Sequence, residues 1–350
     1  MESKRILLAT DAFYPQVNGV SKSLQEVREA LQEMEHAVEV VAPVRTVPNP
    51  FYPPVPLPVP SPTRVASLFE EFEPEHIHIA TEGPIGILTR SYCVDNKLAF
   101  TTSFHTLWPE YIKQFMMIPT SITWNSLKWF HSAASCTMTR SRSMMDQLIE
   151  RGFENVAEWN GSVDTSLFYP REKKLHDIKR PLYIYVGRVS VEKNLEAFLD
   201  LELGEGTKMI VGDGPYLQTL QTKYPDVIFL GEKKGEELAQ AFSEGDVFVF
   251  PSLTDTFGRV VVEALACGVP VAAFPVTGPK DIISSPKYGA LNEDLATAVK
   301  EALKTGNREA SAEYAKKFST ENVSQQFLNN LVPAQGVGGS TEAPTASLTN

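Results

Sequence analysis

Short runs of apolar residues alternate along this chain with longer stretches whose apolar positions recur at helical spacing. The runs predict strands at Ile6–Thr10, Val38–Ala42, Ile77–Ala80, Ala99–Ser103 and Cys136–Thr139 in the first half. A second set follows at Leu182–Val186, Met209–Val211, Val227–Leu230, Val247–Phe250 and Val271–Phe274. Strands that alternate with helices in this way build parallel βαβ units. A Pro-rich passage from Pro43 to Pro62 interrupts the first set and is unsuited to a regular helix or a central strand. The charged, aperiodic stretch Asp164–Arg180 lies between the sets and reads as a hinge. The pattern predicts two doubly wound α/β domains: 1–168, a linker at 169–180, and 181–318. A helix near 320–332 is expected to pack back on the first domain. The small, polar residues of 333–350 predict a disordered tail.

Composition narrows the class. With 350 residues there is room for two cores. Asp and Glu outnumber Lys and Arg by 43 to 32, which argues against a nucleic-acid partner. Cys93, Cys136 and Cys267 have no metal-ligand spacing and suit reduced cytoplasmic thiols. The opening Lys4–Thr10 is too short and polar for a secretory segment, and no apolar run nears the ~20 residues of a membrane span. The expected location is the cytoplasm, at most on the inner face of a membrane.

The chemistry concentrates between Pro251 and Val271. Asp255 precedes Glu263 with seven residues between them, and Phe257 and Gly258 fall in the gap. The apolar run before them and the small-residue stretch after them predict strand, loop and helix, with Gly258 near the helix start. Free N–H groups and the positive dipole end there suit a phosphate. The two carboxylates suit sugar hydroxyls, though two acids at this spacing also occur on ordinary surface helices.

Other segments at strand ends carry weaker signals. Gly187-Arg188 and Glu192-Lys193-Asn194 can clamp a diphosphate, or Lys193 can simply pair with Glu192. Gly212 and Gly214 make a tight turn that either lines a nucleotide site or only reverses the chain. Gly19 permits close approach of an anion to the start of the first helix. His105 ends a strand, where open α/β sheets bind ligands, although a lone histidine is commonly structural. Tyr111–Met145 holds Lys113, Lys128, Arg140 and Arg142 among aromatics, with no Asp or Glu. That stretch suits an anionic membrane, and equally a core helix with a solvated basic edge.

Taken in chain order, Asn18-Gly19-Val20, Ser103-Phe104-His105-Thr106, Gly187-Arg188 with Glu192-Lys193-Asn194, Val211–Pro215 and Asp255-x7-Glu263 resemble the retaining nucleotide-sugar glycosyltransferases of family 4. The resemblance runs from Lys4 to about Leu331. It implies a GT-B fold, two Rossmann-like domains facing a cleft. It also implies a GDP- or UDP-linked hexose as donor, a lipid or glycan hydroxyl as acceptor, and neither metal nor cofactor. No Asp-x-Asp occurs in the chain. By the same resemblance Arg188, Lys193 and the Gly258 helix end hold the diphosphate and Glu263 the ribose. Asp255 orients the hexose, His105 contacts it, and Gly19, Gly212, Gly214 and Phe257 line the donor site. Two departures stand out. Most members carry Glu where this chain has Asp255, and Asn160-Gly161-Ser162-Val163-Asp164 shifts the usual glycine by one position. The Thr254–Gly258 form is similar to that of GDP-mannose-dependent mannosyltransferases and of enzymes that glycosylate diacylglycerol.

Three other classes share parts of this pattern. A dehydrogenase lacks support, because no G-x-G-x-x-G follows the first strand. A phosphorylase or sugar-phosphate synthase would share the fold, and a non-catalytic glycan-binding scaffold would have no chemical need for the polar set.

Overall fold

The computed structural model describes residues 2–13, 19–48, 57–105, 119–255 and 257–335. The chain forms two compact units: Met1–Arg140, Met145–Trp159 and Ser324–Asn350 make the first, Ser141–Met144 and Asn160–Val323 the second.

The first unit is built on β1 (Arg5–Ala9), β2 (Ala37–Val41), β5 (His76–Ile79), β6 (Thr101–Phe104), β7 (Cys136–Thr139) and β8 (Val156–Glu158), all parallel, in the order β2-β1-β5-β6-β7-β8. A two-residue hairpin, β3 (Thr46–Val47) with β4 (Leu57–Pro58), lies in the Pro-rich passage. Proline permits such an edge piece but not a central strand. Helices cover the sheet, and its central strands β5, β6 and β7 are buried along their whole length. Leu7, Ala9, Ile77 and Ile79, for example, pack with Val65, Phe69, Ile85, Phe100 and Phe130.

The second sheet has β9 (Leu182–Val186), β10 (Thr207–Val211), β11 (Ile228–Phe229), β12 (Val247–Phe250), β13 (Val271–Ala273) and β14 (Gly289–Leu291), in the order β11-β10-β9-β12-β13-β14. Alternate residues feed its two faces: Leu182, Ile184 and Val186 enter one core, Tyr183 and Tyr185 the other. The strand order reverses direction between β9 and β12, which places the loops after those two strands at the crevice where such sheets bind ligands.

Every predicted strand is present. Two three-residue strands, β8 and β14, went unpredicted. The stretch read as a hinge is a strap on the second unit. Glu244 accepts from the Lys174 and Leu175 amides (2.7 and 3.1 Å), Arg180 donates to Asp246 (3.0 Å), and Lys173 pairs with Asp246. Its charges are spent on the buried Glu244 and the partly buried Asp246, which removes the freedom a hinge needs. The unit boundary falls instead at Trp159–Asn160, before the predicted 168.

The helix Thr320–Asn330 returns the chain to the first unit from Ser324 onward, with the Phe327 ring 4.9 Å from Trp159 and 4.8 Å from His78. The predicted tail begins too early. Pro333 bridges to His76, and the Ala334 amide donates to the Glu75 carbonyl at 2.7 Å. Residues 336–350 lie outside the described residues.

Candidate active site

In the second unit the site is assembled by the loops after β9, β10 and β12. Gly187 and Gly212 let the first two loops touch, since a Cβ at Gly212 would lie 1.9 Å from the Gly187 carbonyl oxygen. A Cβ at Gly214 would lie 2.2 Å from the Val189 carbonyl oxygen. Both glycines therefore serve close backbone packing, which in turn fixes the course of the Arg188 loop. Tyr185 donates from its hydroxyl to the Arg188 carbonyl at 3.0 Å. Burial, reinforced by the charges of Asp255 and Glu192, raises the phenol's pKa and keeps it a neutral donor. The Arg188 side chain is exposed.

Lys193 ends the short turn Val191–Lys193, and its ammonium reaches across the strand reversal to Asp255, 2.7 and 2.9 Å from the two carboxylate oxygens. The alternative pairing with Glu192 is not the one formed, because Glu192 accepts from Ser190 at 2.7 Å. Asn194, in the left-handed conformation, ties the same turn to β12 through the Pro251 carbonyl at 3.1 Å.

Gly258 caps the helix Arg259–Ala266 at φ 80°, a backbone conformation costly for any residue with a Cβ. Glu263 on that helix is 5 % exposed, with its carboxylate 3.8 Å from the Arg259 guanidinium. Arg259 was not singled out from the sequence, although its i,i+4 spacing to Glu263 was visible there. Phe257 is packed into the core beside this helix. Its ring is buried 6.0 Å from the Phe318 ring, so close to Gly161 that a Cβ there would sit 2.3 Å away. The Phe257 ring anchors the loop in the core. The same contact accounts for the displaced glycine of the 160–164 segment.

In the first unit, His105 follows β6, Arg140 follows β7 and Trp159 follows β8. Register pairs Phe104 with Thr139 and Thr139 with Glu158, so the three side chains form a row across neighbouring strand ends. Arg140 Nε donates to His105 Nδ1 at 3.3 Å, and its guanidinium lies 3.8 Å over the Trp159 ring. Burial, then the positive charge of Arg140 and the imidazoles of His78 and His131, hold the His105 pKa well below its ordinary value.

Asp11, also missed, takes the amides of Ile85 and Gly86 at the start of the helix Pro84–Asp95, and the Thr81 hydroxyl at 2.7 Å. It joins the loops after β1 and β5. Gly19 opens the helix Gly19–Glu33, and an added Cβ there would meet nothing within 4 Å. Residues 14–18 and 106–118, with the rest of the predicted Gly19 loop and the Tyr111–Ile118 part of the basic, aromatic Tyr111–Met145 stretch, Lys113 included, lie outside the described residues. The helix Thr120–His131 buries Leu127, Phe130 and His131, while Ile122 and Trp129 are 59 % and 52 % exposed. Among the described residues no three His, Cys, Asp or Glu cluster to hold a metal, and no helix is long and apolar enough to cross a membrane.

Two parallel doubly wound units, one with a Lys–carboxylate pair and a glycine-capped helix at its strand reversal, define a GT-B enzyme of nucleotide-sugar chemistry. The family described as Glycosyltransferase Family 4 matches residues 17–167, and that described as Glycosyl transferases group 1 matches residues 180–305. The GDP-mannose-dependent alpha-mannosyltransferase of Mycolicibacterium smegmatis is 31 % identical over 318 residues, covering 82 % of this chain and 84 % of its own. The alpha-monoglucosyldiacylglycerol synthase of Streptococcus pneumoniae is 26 % identical over 345 residues, covering 85 % and 78 %. Among solved structures, sucrose-phosphate synthase from Thermosynechococcus elongatus shares the fold at TM-score 0.71 and 19 % identity, over 93 % of this chain and 98 % of its own. The chain belongs to the family 4 glycosyltransferases. It is a hexosyltransferase that draws on a nucleotide-diphosphate sugar.

Proposed function

We propose that this enzyme moves mannose from GDP-mannose to a hydroxyl of a glycolipid acceptor, with retention of configuration and without a metal ion. The observation that carries the reading is the Lys193–Asp255 pair beside the Gly258 helix start, at the strand reversal of the second sheet. A diphosphate placed there gains the Lys193 ammonium, the exposed Arg188 guanidinium and the first amides of the helix Arg259–Ala266. These offset the charge that builds on the leaving phosphate. Asp255, released in part from Lys193, orients the hexose hydroxyls, and Glu263 accepts from the ribose.

The bond from the anomeric carbon to phosphate oxygen breaks as the bond to the acceptor oxygen forms on the same face. The acceptor's proton passes to the departing phosphate. In the first unit the corresponding assignment is His105, as a hydrogen-bond partner of the transferred sugar. Gly212 and Gly214 keep the Arg188 loop in place.

GDP-mannose is favoured by the name of the Mycolicibacterium smegmatis relative and by the Thr254–Gly258 form, and a lipid acceptor by that of the Streptococcus pneumoniae relative. Exposed Ile122 and Trp129 beside exposed Lys128 and Arg151 suit the surface of an anionic bilayer. The three buried free thiols suit the reducing cytoplasmic side. The test is donor turnover in excess chelator, where GDP-mannose is consumed and UDP-glucose is spared. Preference for UDP-glucose would move the enzyme to the glucosyl series.

A further inference from the structure

The row His105–Arg140–Trp159 carries more than the position of one histidine. Arginine has five N–H groups and no acceptor, so the imidazole nitrogen facing it must offer a lone pair. Arg140 Nε meets His105 at Nδ1, 3.3 Å away. An imidazolium has no lone pair there and would also face a positive charge. The contact therefore selects a neutral ring with its proton on Nε2.

The guanidinium is not free to turn away. It is 7 % exposed and lies 3.8 Å over the indole of Trp159, which is fully buried. Trp159 is pinned in turn by the Phe327 ring at 4.9 Å and by its own amide, which donates to the Thr139 carbonyl at 2.7 Å. A planar cation stacked on an aromatic face presents its edge in a fixed direction, which a lysine would not.

We infer that Arg140 is a positioning residue that fixes His105 as the Nε2–H tautomer, so that His105 serves the sugar as a hydrogen-bond donor and not as a general base. A base would need the Nε2 lone pair, which this tautomer lacks. The inference rests on the proposed contact of His105 with the transferred sugar, but the tautomer itself is a property of the free protein. Among the described residues, the charged or titratable groups around the ring are Arg140 after β7, His78 on β5 and His131 from the helix Thr120–His131, the last hydrogen-bonded to Glu82 at 3.3 Å.

The experiment is a long-range proton–nitrogen NMR spectrum of 15N-histidine-labelled full-length protein without ligand, with His105 assigned by its loss in His105→Gln. Nδ1 is expected at an unprotonated shift and Nε2 at a protonated one, unchanged across the neutral range. In Arg140→Met the two shifts move toward each other as tautomers mix. kcat/KM falls by about ten-fold, the loss of one oriented hydrogen bond. Its acid limb moves to higher pH, because one positive neighbour has gone while burial, His78 and His131 remain.

A protonated Nδ1 in the wild type overturns the inference, as does an Arg140→Met spectrum identical to the wild type. If Arg140→Met does not fold, the wild-type spectrum alone decides. None of the spectra depends on turnover, so a failure of the mannosyl assignment would leave this result intact and distinguishable.

Discussion

Lys193 is claimed by two anions, the Asp255 carboxylate it holds now and the diphosphate proposed for it. The two compete for one ammonium, and that competition sets what substitutions do. Asp255→Asn frees the lysine, so the affinity for GDP should be kept or increased while mannosyl turnover falls by about 100-fold through lost orientation of the hexose. Lys193→Ala should weaken GDP by about 10- to 100-fold, the worth of a charge-assisted hydrogen bond. Calorimetric titration of both variants checks the pair, and equal losses of GDP affinity in both would contradict the competition. These residues were legible because each sits in a local motif, although the two meet across 62 residues of sequence. Arg140 and Asp11 sit in no such motif, and only strand order brings them to partners 35 and 74 residues away. The packing role of Phe257 was not legible either: motif position suggested a donor contact, and its fit against Gly161 and Phe318 is set by the fold.

Most strands of the two parallel sheets were legible from short apolar runs in or beside them, as suits sheets covered on both faces. β8 (Val156-Ala157-Glu158) and β14 (Gly289-Ala290-Leu291) carry one large apolar residue each, too few to mark a run, whereas β11 and β13, no longer than these, lie inside apolar stretches. The strap before β9 looked like a hinge because its charges give no periodicity, and only the pairing with Glu244 and Asp246 shows where they go. Contact between the loops after β9 and β10 makes a firm prediction. Gly212→Ala puts a methyl 1.9 Å from a carbonyl oxygen, so it should cost about 3 kcal/mol in denaturant titration and weaken nucleotide binding along with it.

The pairing of β5 with β6 makes another, on acid. His78 is fully buried between Thr101 and Ser103 (2.8 and 2.7 Å), and burial, with the charge of Arg140, brings its pKa down to about 3. His36, His76 and His105 of the same unit are also lowered. As pH falls below the ordinary histidine value, the unfolded chain takes up protons that the folded unit refuses. Stability therefore drops, by about 1 kcal/mol per pH unit for each such proton. Asp11, raised by burial, works the other way, but only above its ordinary value and as a single group. In the second unit Glu244 and Asp246 are lowered by hydrogen bonds that outweigh burial, so their stabilisation is lost only in stronger acid. Hydrogen exchange at pH 5.5, corrected for intrinsic rates, should show β5 and β6 opening before β9 and β12. The reverse order would contradict the assignment.

At the scale of the whole molecule, the division of labour we propose is one doubly wound unit that holds the nucleotide and another that carries His105 and the helix Thr120–His131. The repetition of the fold was visible in the two sets of strands, and the site motifs fell at strand ends where doubly wound sheets bind ligands. The exact unit boundary was not visible, because the chain crosses back at Val323–Ser324 within one continuous helix. The donor-turnover test bears most directly on the central claim when the product is observed. GDP-mannose is incubated in excess chelator with vesicles of an anionic lipid mixture containing a glycosyldiacylglycerol acceptor, and the anomeric proton of the product is followed by NMR, with Lys193→Ala as control. An α-mannoside formed by the wild type and almost none by Lys193→Ala is the predicted result. A β-mannoside, turnover that returns only when a divalent metal is added back, or undiminished product from Lys193→Ala would contradict it.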